Sequence, residues 1–138
     1  MEPKSERPCI VVVEDEAPLL EVIRDMLSMA DFRVVGVGRP GMLLDTLSSL
    51  HPNLFLIDIM LPGMSGIELA EALRSAGQTA PIITMSASKL MSKVATESAA
   101  VDDSIDKVFD AVALVDSIKY YLAPESAGTE QQQISSRA

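Results

Sequence analysis

The chain of 138 residues is long enough for one domain with a hydrophobic core, and its 48% hydrophobic content with a mean hydropathy of +0.25 argues against disorder. A formal net charge of −9 disfavours non-specific attraction to nucleic acid or anionic membrane, and the single Cys9 excludes an intrachain disulfide framework. No apolar segment approaches the roughly 18 residues of a membrane span, and residues 1–8 lack the apolar stretch of a signal peptide, so we expect a cytoplasmic protein without membrane contact.

Five short apolar runs alternate with helical patterns along the chain. The runs are CIVVV (9–13), RVVGV (33–37), LFLID (54–58), PIITMS (81–86) and SIDKV (104–108). Apolar residues at helical spacing follow each run, for example Leu20, Ile23 and Leu27 after the first. Strands and helices that alternate at short connections imply right-handed βαβ units. The sequence therefore predicts an α/β fold in which helices cover both faces of a parallel sheet.

The two ends of the chain differ in composition from its middle. Residues 1–8 are polar and predict an N-terminal arm, and the strand and helix patterns occupy residues 9–123. Residues 124–138 are polar and without periodicity, which is typical of a disordered tail or a linker. We expect one globular domain, either complete in itself or part of a longer protein.

A carboxylate ends the third apolar run. An acid such as Asp58 at the edge of a core is costly unless it is paired, hydrogen-bonded or bound to a metal. Parallel sheets bind ligands at the carboxyl ends of their strands. Glu14 and Asp15 follow the first run, Ser86 ends the fourth, and Lys107 lies near the end of the fifth. We therefore expect these side chains to converge on one edge of the sheet.

The predicted cluster has the chemistry of a phosphoryl-transfer site. Clustered carboxylates are the oxygen ligands that Mg²⁺ prefers, and the ion would relieve their mutual repulsion. Phosphoryl transfer needs an in-line nucleophile, a metal and cationic or hydroxyl donors, which Asp58, Mg²⁺, Lys107 and Ser86 would supply. The acyl phosphate formed is hydrolysable. Such a site would form a timed switch that weakly catalyses its own modification.

Four segments resemble the receiver domains of two-component response regulators: VVVEDE, LIDIMLPGMSGIEL, PIITMSA and DDSIDKVF. The resemblance covers residues 9–122. It implies a flavodoxin-like, doubly wound, five-stranded parallel sheet in the order 2-1-3-4-5 with five helices. It thus makes residues 9–123 the receiver domain.

The resemblance also implies roles for individual residues. Asp58 would accept a phosphoryl group from a histidine kinase or a histidine phosphotransfer protein. Glu14, Asp15, Asp58 and the backbone carbonyl of Met60 would bind Mg²⁺, and Ser86 and Lys107 would contact the phosphoryl group. The resemblance implies a signalling domain and not a classical enzyme. Signalling would pass to a downstream protein through the face formed by residues 88–122, without direct contact to nucleic acid.

Two positions depart from the pattern of this family. Val108 follows Lys107 where a proline, commonly after a cis bond, is usual. A cis bond before valine would cost about 2.5 to 4 kcal/mol, so we expect a trans bond and an altered reach of Lys107. Ser104 stands where an aromatic switch residue is usual, so the usual coupling between hydroxyl and ring lacks its ring.

Two alternatives stand beside the phosphoacceptor hypothesis. One is a module with the receiver fold that binds its partner without phosphorylation, which Ser104 and Val108 favour. The other is a dinucleotide-binding domain, because GVGRPG (36–41) matches G-x-G-x-x-G and Asp58 follows about 20 residues later. Pro40 removes a backbone N–H from that turn, which argues against the second alternative.

Overall fold

The computed structural model describes residues 7–107 and 110–123, in which five strands alternate with five helices. The elements are β1 (Cys9–Val13), α1 (Ala17–Met29), β2 (Arg33–Val37), α2 (Pro40–Thr46), β3 (Leu54–Asp58), α3 (Gly66–Ser75), β4 (Ile82–Ser86), α4 (Lys89–Thr96), β5 (Asp103–Asp106) and α5 (Ala111–Leu122). None of the helices in this part of the chain has the length and apolar character that a membrane span requires. Most of the predicted arm (1–8), the predicted tail (124–138) and Val108 lie outside the described residues.

The five strands form one sheet in the order β2-β1-β3-β4-β5, and every neighbouring pair is parallel. This arrangement confirms the predicted doubly wound fold. The chain leaves β1 toward β2 on one side and returns to β3 on the other. The strand order thus reverses between β1 and β3, the place where open α/β sheets form a crevice for ligands.

The sheet has an apolar core on each face. Alternate side chains of the central strands, such as Val11 and Phe55, pack with α2, α3 and α4, while their neighbours, such as Val12 and Leu56, pack with α1 and α5. Every residue of β1, β3 and β4 is buried. Burial on both faces explains why these strands are continuous apolar runs in the sequence.

The start of α3 lies directly over the end of β3. Ser65 Oγ accepts a hydrogen bond of 3.1 Å from the Glu68 N–H, and Glu68 Oε1 accepts one of 2.9 Å from the Ser65 N–H. This capping box ends the loop after β3. A Cβ atom at Gly66 would collide with the backbone carbonyl of Asp58, so only glycine allows this approach. The loop beside Asp58 is therefore short and held at both ends.

The bounds of the fifth strand differ from those predicted. The prediction placed it at 104–108, whereas β5 spans Asp103–Asp106 and Lys107 follows in a bend. Asp103 pairs with Ile83 in the register of β4 and β5. Its carboxylate accepts hydrogen bonds from the Ser104 N–H at 2.8 Å and the Tyr121 O–H at 3.1 Å. Asp103 is therefore the first residue of β5, although the predicted strand begins one residue later.

The strand order argues against a dinucleotide site. The glycine-rich segment 36–41 spans the end of β2 and the start of α2, and β1 separates β2 from β3. Asp58 therefore does not end the strand next to the turn, as the ribose-binding acid of such a site would. A Cβ atom at Gly38 or Gly41 would meet nothing within 4 Å, so no close backbone approach requires these glycines.

Arg74, in the last turn of α3, connects three segments at the end of the sheet opposite Asp58. Its guanidinium donates from Nε to Ala100 O at 3.2 Å and from Nη1 to Gln78 O at 3.0 Å and Ala80 O at 2.8 Å. Nη2 donates to Asp102 Oδ2 at 2.9 Å. Three of the acceptors are backbone carbonyls, which would otherwise need other partners. Arg74 thus ties α3 to the connections that precede β4 and β5.

We expect Arg74→Ala to lower the free energy of unfolding by about 2 to 4 kcal/mol, because several acceptors lose their donor at once. Urea unfolding followed by circular dichroism measures the change. Lys93→Ala, at an exposed position on α4, is the matched control and should change stability by less than about 0.5 kcal/mol. Equal losses in the two variants would contradict the structural role of Arg74.

Candidate functional site

Acidic side chains from two neighbouring strands meet at the reversal of strand order. Glu14 directly follows β1, and Asp58 is the last residue of β3. Both are almost completely buried, with exposed fractions of 0% and 1%, while Asp15 is exposed. Carboxylate oxygens of all three lie within 4.8 Å of one another. The structure thus brings the three predicted acids together.

Asp58 has two partners in this site. Its Oδ2 lies 3.0 Å from Lys107 Nζ, which donates a hydrogen bond to it, and its Oδ1 accepts one of 3.1 Å from the Met60 N–H. Lys107 reaches the site from the bend after β5. The carboxylate that ends the apolar run is therefore paired as well as hydrogen-bonded, as a buried charge requires.

Glu14 is satisfied at only one of its carboxylate oxygens. Oε2 accepts a hydrogen bond of 3.1 Å from the Glu16 N–H. Oε1 lies 3.2 Å from Lys107 Nζ, but this ion pair lacks hydrogen-bond geometry, and Oε1 has no hydrogen-bond partner within the described residues. A buried carboxylate oxygen in this state is available to a further ligand.

The site changes the protonation of its charged groups. Burial raises the pKa of Glu14, the Glu16 N–H lowers it, and the nearby charge of Asp58 raises it, so that it lies above its ordinary value. Burial lowers the pKa of Lys107, but the hydrogen bond and charge of Asp58, with the charge of Glu14, outweigh burial and raise it. Lys107 is therefore a cation at neutral pH.

The donor set fits a divalent cation. Lys107 pairs with two of the three clustered carboxylates, Glu14 and Asp58, and the buried oxygen Glu14 Oε1 has no hydrogen bond in the described structure. Oxygen ligands of this kind suit Mg²⁺, and a second cation would offset the excess negative charge. Met60 lies in the adjoining loop, with its N–H bound to Asp58 and its side chain exposed. The predicted ligand role of its carbonyl remains a prediction.

Ser86 ends β4 and is 1% exposed, but its hydroxyl bonds within its own loop. Ser86 Oγ donates to Ser88 O at 2.9 Å and accepts from the Ser88 N–H at 3.0 Å. The side chain therefore lies at the predicted strand end, and its hydroxyl bonds to Ser88 rather than to the acids in the described part of the chain. It would have to break the bond to Ser88 O in order to donate to a ligand.

Ser104 has a partner that sequence reasoning missed. Thr84, in β4, donates a hydrogen bond of 2.8 Å from its hydroxyl to Ser104 Oγ, and the two residues are direct register partners. Thr84 is 0% exposed. The serine that replaces the usual aromatic residue is thus bound to the neighbouring strand. Two hydroxyl residues at paired strand positions are the only signal of this bond in the sequence.

We expect the metal-free Glu14→Gln variant to be more stable than the wild type by about 0.5 to 2 kcal/mol at pH 8. The buried carboxylate of Glu14 is costly when it is charged, and the amide of glutamine carries no charge. Since the pKa of Glu14 is raised in the folded state, the wild type loses stability as pH rises from the ordinary Glu value through the folded value. The advantage of glutamine should therefore vanish at low pH. Urea unfolding in a chelator at several pH values measures it.

Glu16→Gln removes one charge at an exposed position two residues away and is the matched control. Its stability should stay within about 0.5 kcal/mol of the wild type across the same pH range. A Glu14→Gln protein less stable than wild type at pH 8 would show that its ion pair with Lys107 outweighs the burial of its charge.

Comparison with known proteins places this site in a family. The sequence pattern of the response regulator receiver domain matches residues 10–119. The phosphate regulon transcriptional regulatory protein PhoB of Pseudomonas aeruginosa is 34% identical over 128 residues, which cover 91% of this chain and 56% of PhoB. The DNA-binding response regulator MtrA of Mycobacterium tuberculosis is 33% identical, over 82% of this chain and 50% of MtrA. The chain spans about half the length of these relatives.

Solved structures agree with the sequence comparison. A CheY-like response regulator receiver domain protein from Methanospirillum hungatei superposes with a TM-score of 0.79 at 25% identity, covering 91% of this chain and 99% of that one. The response regulator protein TrrA from Thermotoga maritima, in complex with Mg²⁺ and BeF, gives a TM-score of 0.75 at 26% identity, covering 83% and 98%. The sequence match, the fold and the acidic site agree, and the chain belongs to the family of response regulator receiver domains.

Proposed function

We propose that the chain is the phosphoacceptor of a two-component system or phosphorelay, and that Asp58 is the residue modified. The observation that carries this proposal is the pairing of the buried Asp58 carboxylate with Lys107, beside the two further acids Glu14 and Asp15. A buried acid that contacts a cation at a ligand-binding crevice is well placed to act as a nucleophile.

Each residue of the site has a defined task in this proposal. An Asp58 oxygen attacks the phosphorus atom of a phosphohistidine, the phosphorus–nitrogen bond breaks, and the imidazole leaves. Glu14, Asp15, Asp58 and the Met60 carbonyl would hold Mg²⁺, which supplies charge neutralisation for the phosphoryl oxygens when bound. Lys107 moves its ammonium from Asp58 Oδ2 toward a phosphoryl oxygen, and Ser86 donates its hydroxyl to another.

The proposed partners are proteins. The phosphoryl donor is a histidine kinase or a histidine phosphotransfer protein, and the signal leaves through the face formed by residues 88–122. The net charge of −9 favours protein partners over direct contact with nucleic acid, although relatives such as MtrA are DNA-binding proteins. We further propose a cytoplasmic location, with residues 9–123 as the receiver domain, 1–8 as an arm and 124–138 as a tail or linker.

Chemical mapping of the modified residue tests the proposal. The protein is incubated with Mg²⁺ and phosphoramidate, whose phosphorus–nitrogen bond resembles that of phosphohistidine, and is then reduced with borohydride. An acyl phosphate on Asp58 becomes homoserine, which peptide mass spectrometry locates at position 58. Homoserine at another acid, such as Asp15, would overturn the assignment. Phosphate retained through reduction on a serine would overturn it as well.

A further inference from the structure

Strand β2 forms one edge of the sheet and has a neighbouring strand on one side only. The Arg33 N–H and the Val37 carbonyl bond to the segment that contains β1, at 2.8 and 3.0 Å. Peptide groups alternate in direction along a strand, so Val35 faces β1 as well, while Val34 and Gly36 face outward. Val34 and Gly36 therefore each present an N–H and a C=O that pair with no strand in the described structure.

Gly36 allows a guanidinium group to lie against this edge. A Cβ atom at position 36 would come within 2.5 Å of Arg24 Nη2 and 3.2 Å of the Leu20 methyl groups, so the side chain of Arg24 covers the Gly36 backbone. Arg24 Nε lies 3.7 Å from Glu21 Oε2, which is the one ion pair of Arg24 among the described residues, and the side chain is 37% exposed. The Nη groups of Arg24 are thus available to a second carboxylate.

A strand added at this edge would place every second side chain on the face of the sheet that α1 covers. Val34 packs with the apolar cluster on that face, and Gly36 lies beneath Arg24. Side chains directly opposite Val34 and Gly36 would point to the same face. A carboxylate opposite Gly36 would accept hydrogen bonds from the guanidinium of Arg24. An apolar side chain two positions away would cover Val34.

The charges around this edge favour an acidic occupant over a second copy of this chain. Arg33 begins β2 and Arg39 follows it by two residues, and both are exposed. With Arg24 they are three of the 11 lysines and arginines in a chain of net charge −9. Two β2 edges in contact would bring these arginines together, and like charges oppose such pairing. The other edge strand, β5, has the sequence DSID and would repel an acidic segment.

We propose that the free edge of β2 binds an extended acidic segment of a partner protein, which adds as a sixth strand beside Val34 and Gly36 and places a carboxylate on Arg24. The backbone groups of β2 supply the hydrogen bonds of this contact, and Arg24 selects an acidic side chain. The contact needs no phosphoryl group on Asp58. It therefore goes beyond the proposed function and does not depend on it.

Amide hydrogen exchange of the full chain, followed by NMR, tests the inference. The probe is a capped peptide of threonines that contains one glutamate and a valine two positions to either side of it, a pattern that is the same in both strand directions. At saturating peptide the amides of Val34 and Gly36 should exchange about five-fold more slowly, or by a larger factor. The amides of Val35 and Val37, which face β1, should change by less than about two-fold.

Three variants separate recognition by Arg24 from general attraction. Arg24→Gln should lower the affinity for the glutamate peptide by about five-fold or more and remove its advantage over a peptide with lysine in place of glutamate. Lys93→Gln, which removes one charge at an exposed position on α4, is the matched control and should bind as the wild type does. Asp58→Asn should also bind as the wild type does, so a failure of the phosphoacceptor assignment leaves this inference intact.

Four results would overturn the inference. Three of them are the absence of saturable binding at about 1 mM glutamate peptide, equal affinity for the two peptides, and a bound peptide that leaves exchange at Val34 and Gly36 unchanged. The fourth is protection of these two amides that appears without peptide and increases with protein concentration, because a second copy of the chain would then cover the edge.

Discussion

Lys107→Met is expected to tighten Mg²⁺ binding and, at saturating Mg²⁺, to slow phosphorylation of Asp58 by about 100-fold or more. The two effects have opposite directions because Lys107 has two different contacts, one with the carboxylates before transfer and a proposed one with the phosphoryl group during transfer. In the structure its ammonium lies 3.0 Å from Asp58 and 3.2 Å from Glu14, where it would compete with a metal for the same oxygens. During the proposed transfer it would stabilise charge on the phosphoryl group, and methionine cannot do so.

Calorimetric titration with Mg²⁺ and the initial rate of modification by acetyl phosphate measure the two effects. Lys119→Met, at an exposed position in the last turn of α5, removes the same charge away from the site and should change neither quantity appreciably. The metal-free Lys107→Met protein should also unfold more easily, since two buried carboxylates lose their cation. Weaker Mg²⁺ binding with an unchanged rate would contradict both roles of Lys107.

Asp15→Asn is expected to lower the affinity for Mg²⁺ by about ten-fold or more while it leaves the free energy of unfolding within about 0.5 kcal/mol of the wild type. Asp15 is exposed, unlike the other two acids of the cluster, so the fold does not depend on its burial. Its carboxylate nevertheless lies within 4.8 Å of theirs and adds charge where a cation would bind.

Asp25→Asn on α1 is the matched control, because it removes one exposed carboxylate that does not belong to the cluster. Asp25→Asn should change the Mg²⁺ affinity only slightly, because it alters the net charge of the protein and no group of the site. Equal losses of affinity in the two variants would mean that Asp15 acts through net charge alone. Titrations at two salt concentrations separate these cases, since salt screens distant charges most strongly.

The fold was predictable where burial imposes a simple pattern. Strands β1, β3 and β4 are covered on both faces, so their sequences are nearly continuous apolar runs. Their predicted bounds differ from those in the structure by one residue at most. Strand β5 reads DSID, with Ile105 as its only apolar residue, and its bounds were misplaced. The strand order came from the family resemblance, because apolar pattern alone does not specify it.

The site was predictable to the level of strand ends. Acids at the ends of β1 and β3 had to approach one another once the sheet was parallel, and Lys107 follows β5 by the same logic. The bonds of Ser86 to Ser88, of Thr84 to Ser104 and of Arg74 to four acceptors were not foreseen. These bonds depend on rotamers and on tertiary contacts that leave no periodic signal in the sequence.

Intact mass after incubation with acetyl phosphate is the most direct test of the phosphoacceptor assignment. The wild type in Mg²⁺ should gain one phosphoryl group, and neither the wild type in chelator nor Asp58→Asn in Mg²⁺ should gain any. An adduct that persists in Asp58→Asn, or that forms equally well without a divalent cation, would contradict the account. The absence of any adduct in a protein that binds Mg²⁺ would instead favour a receiver fold that works without phosphorylation.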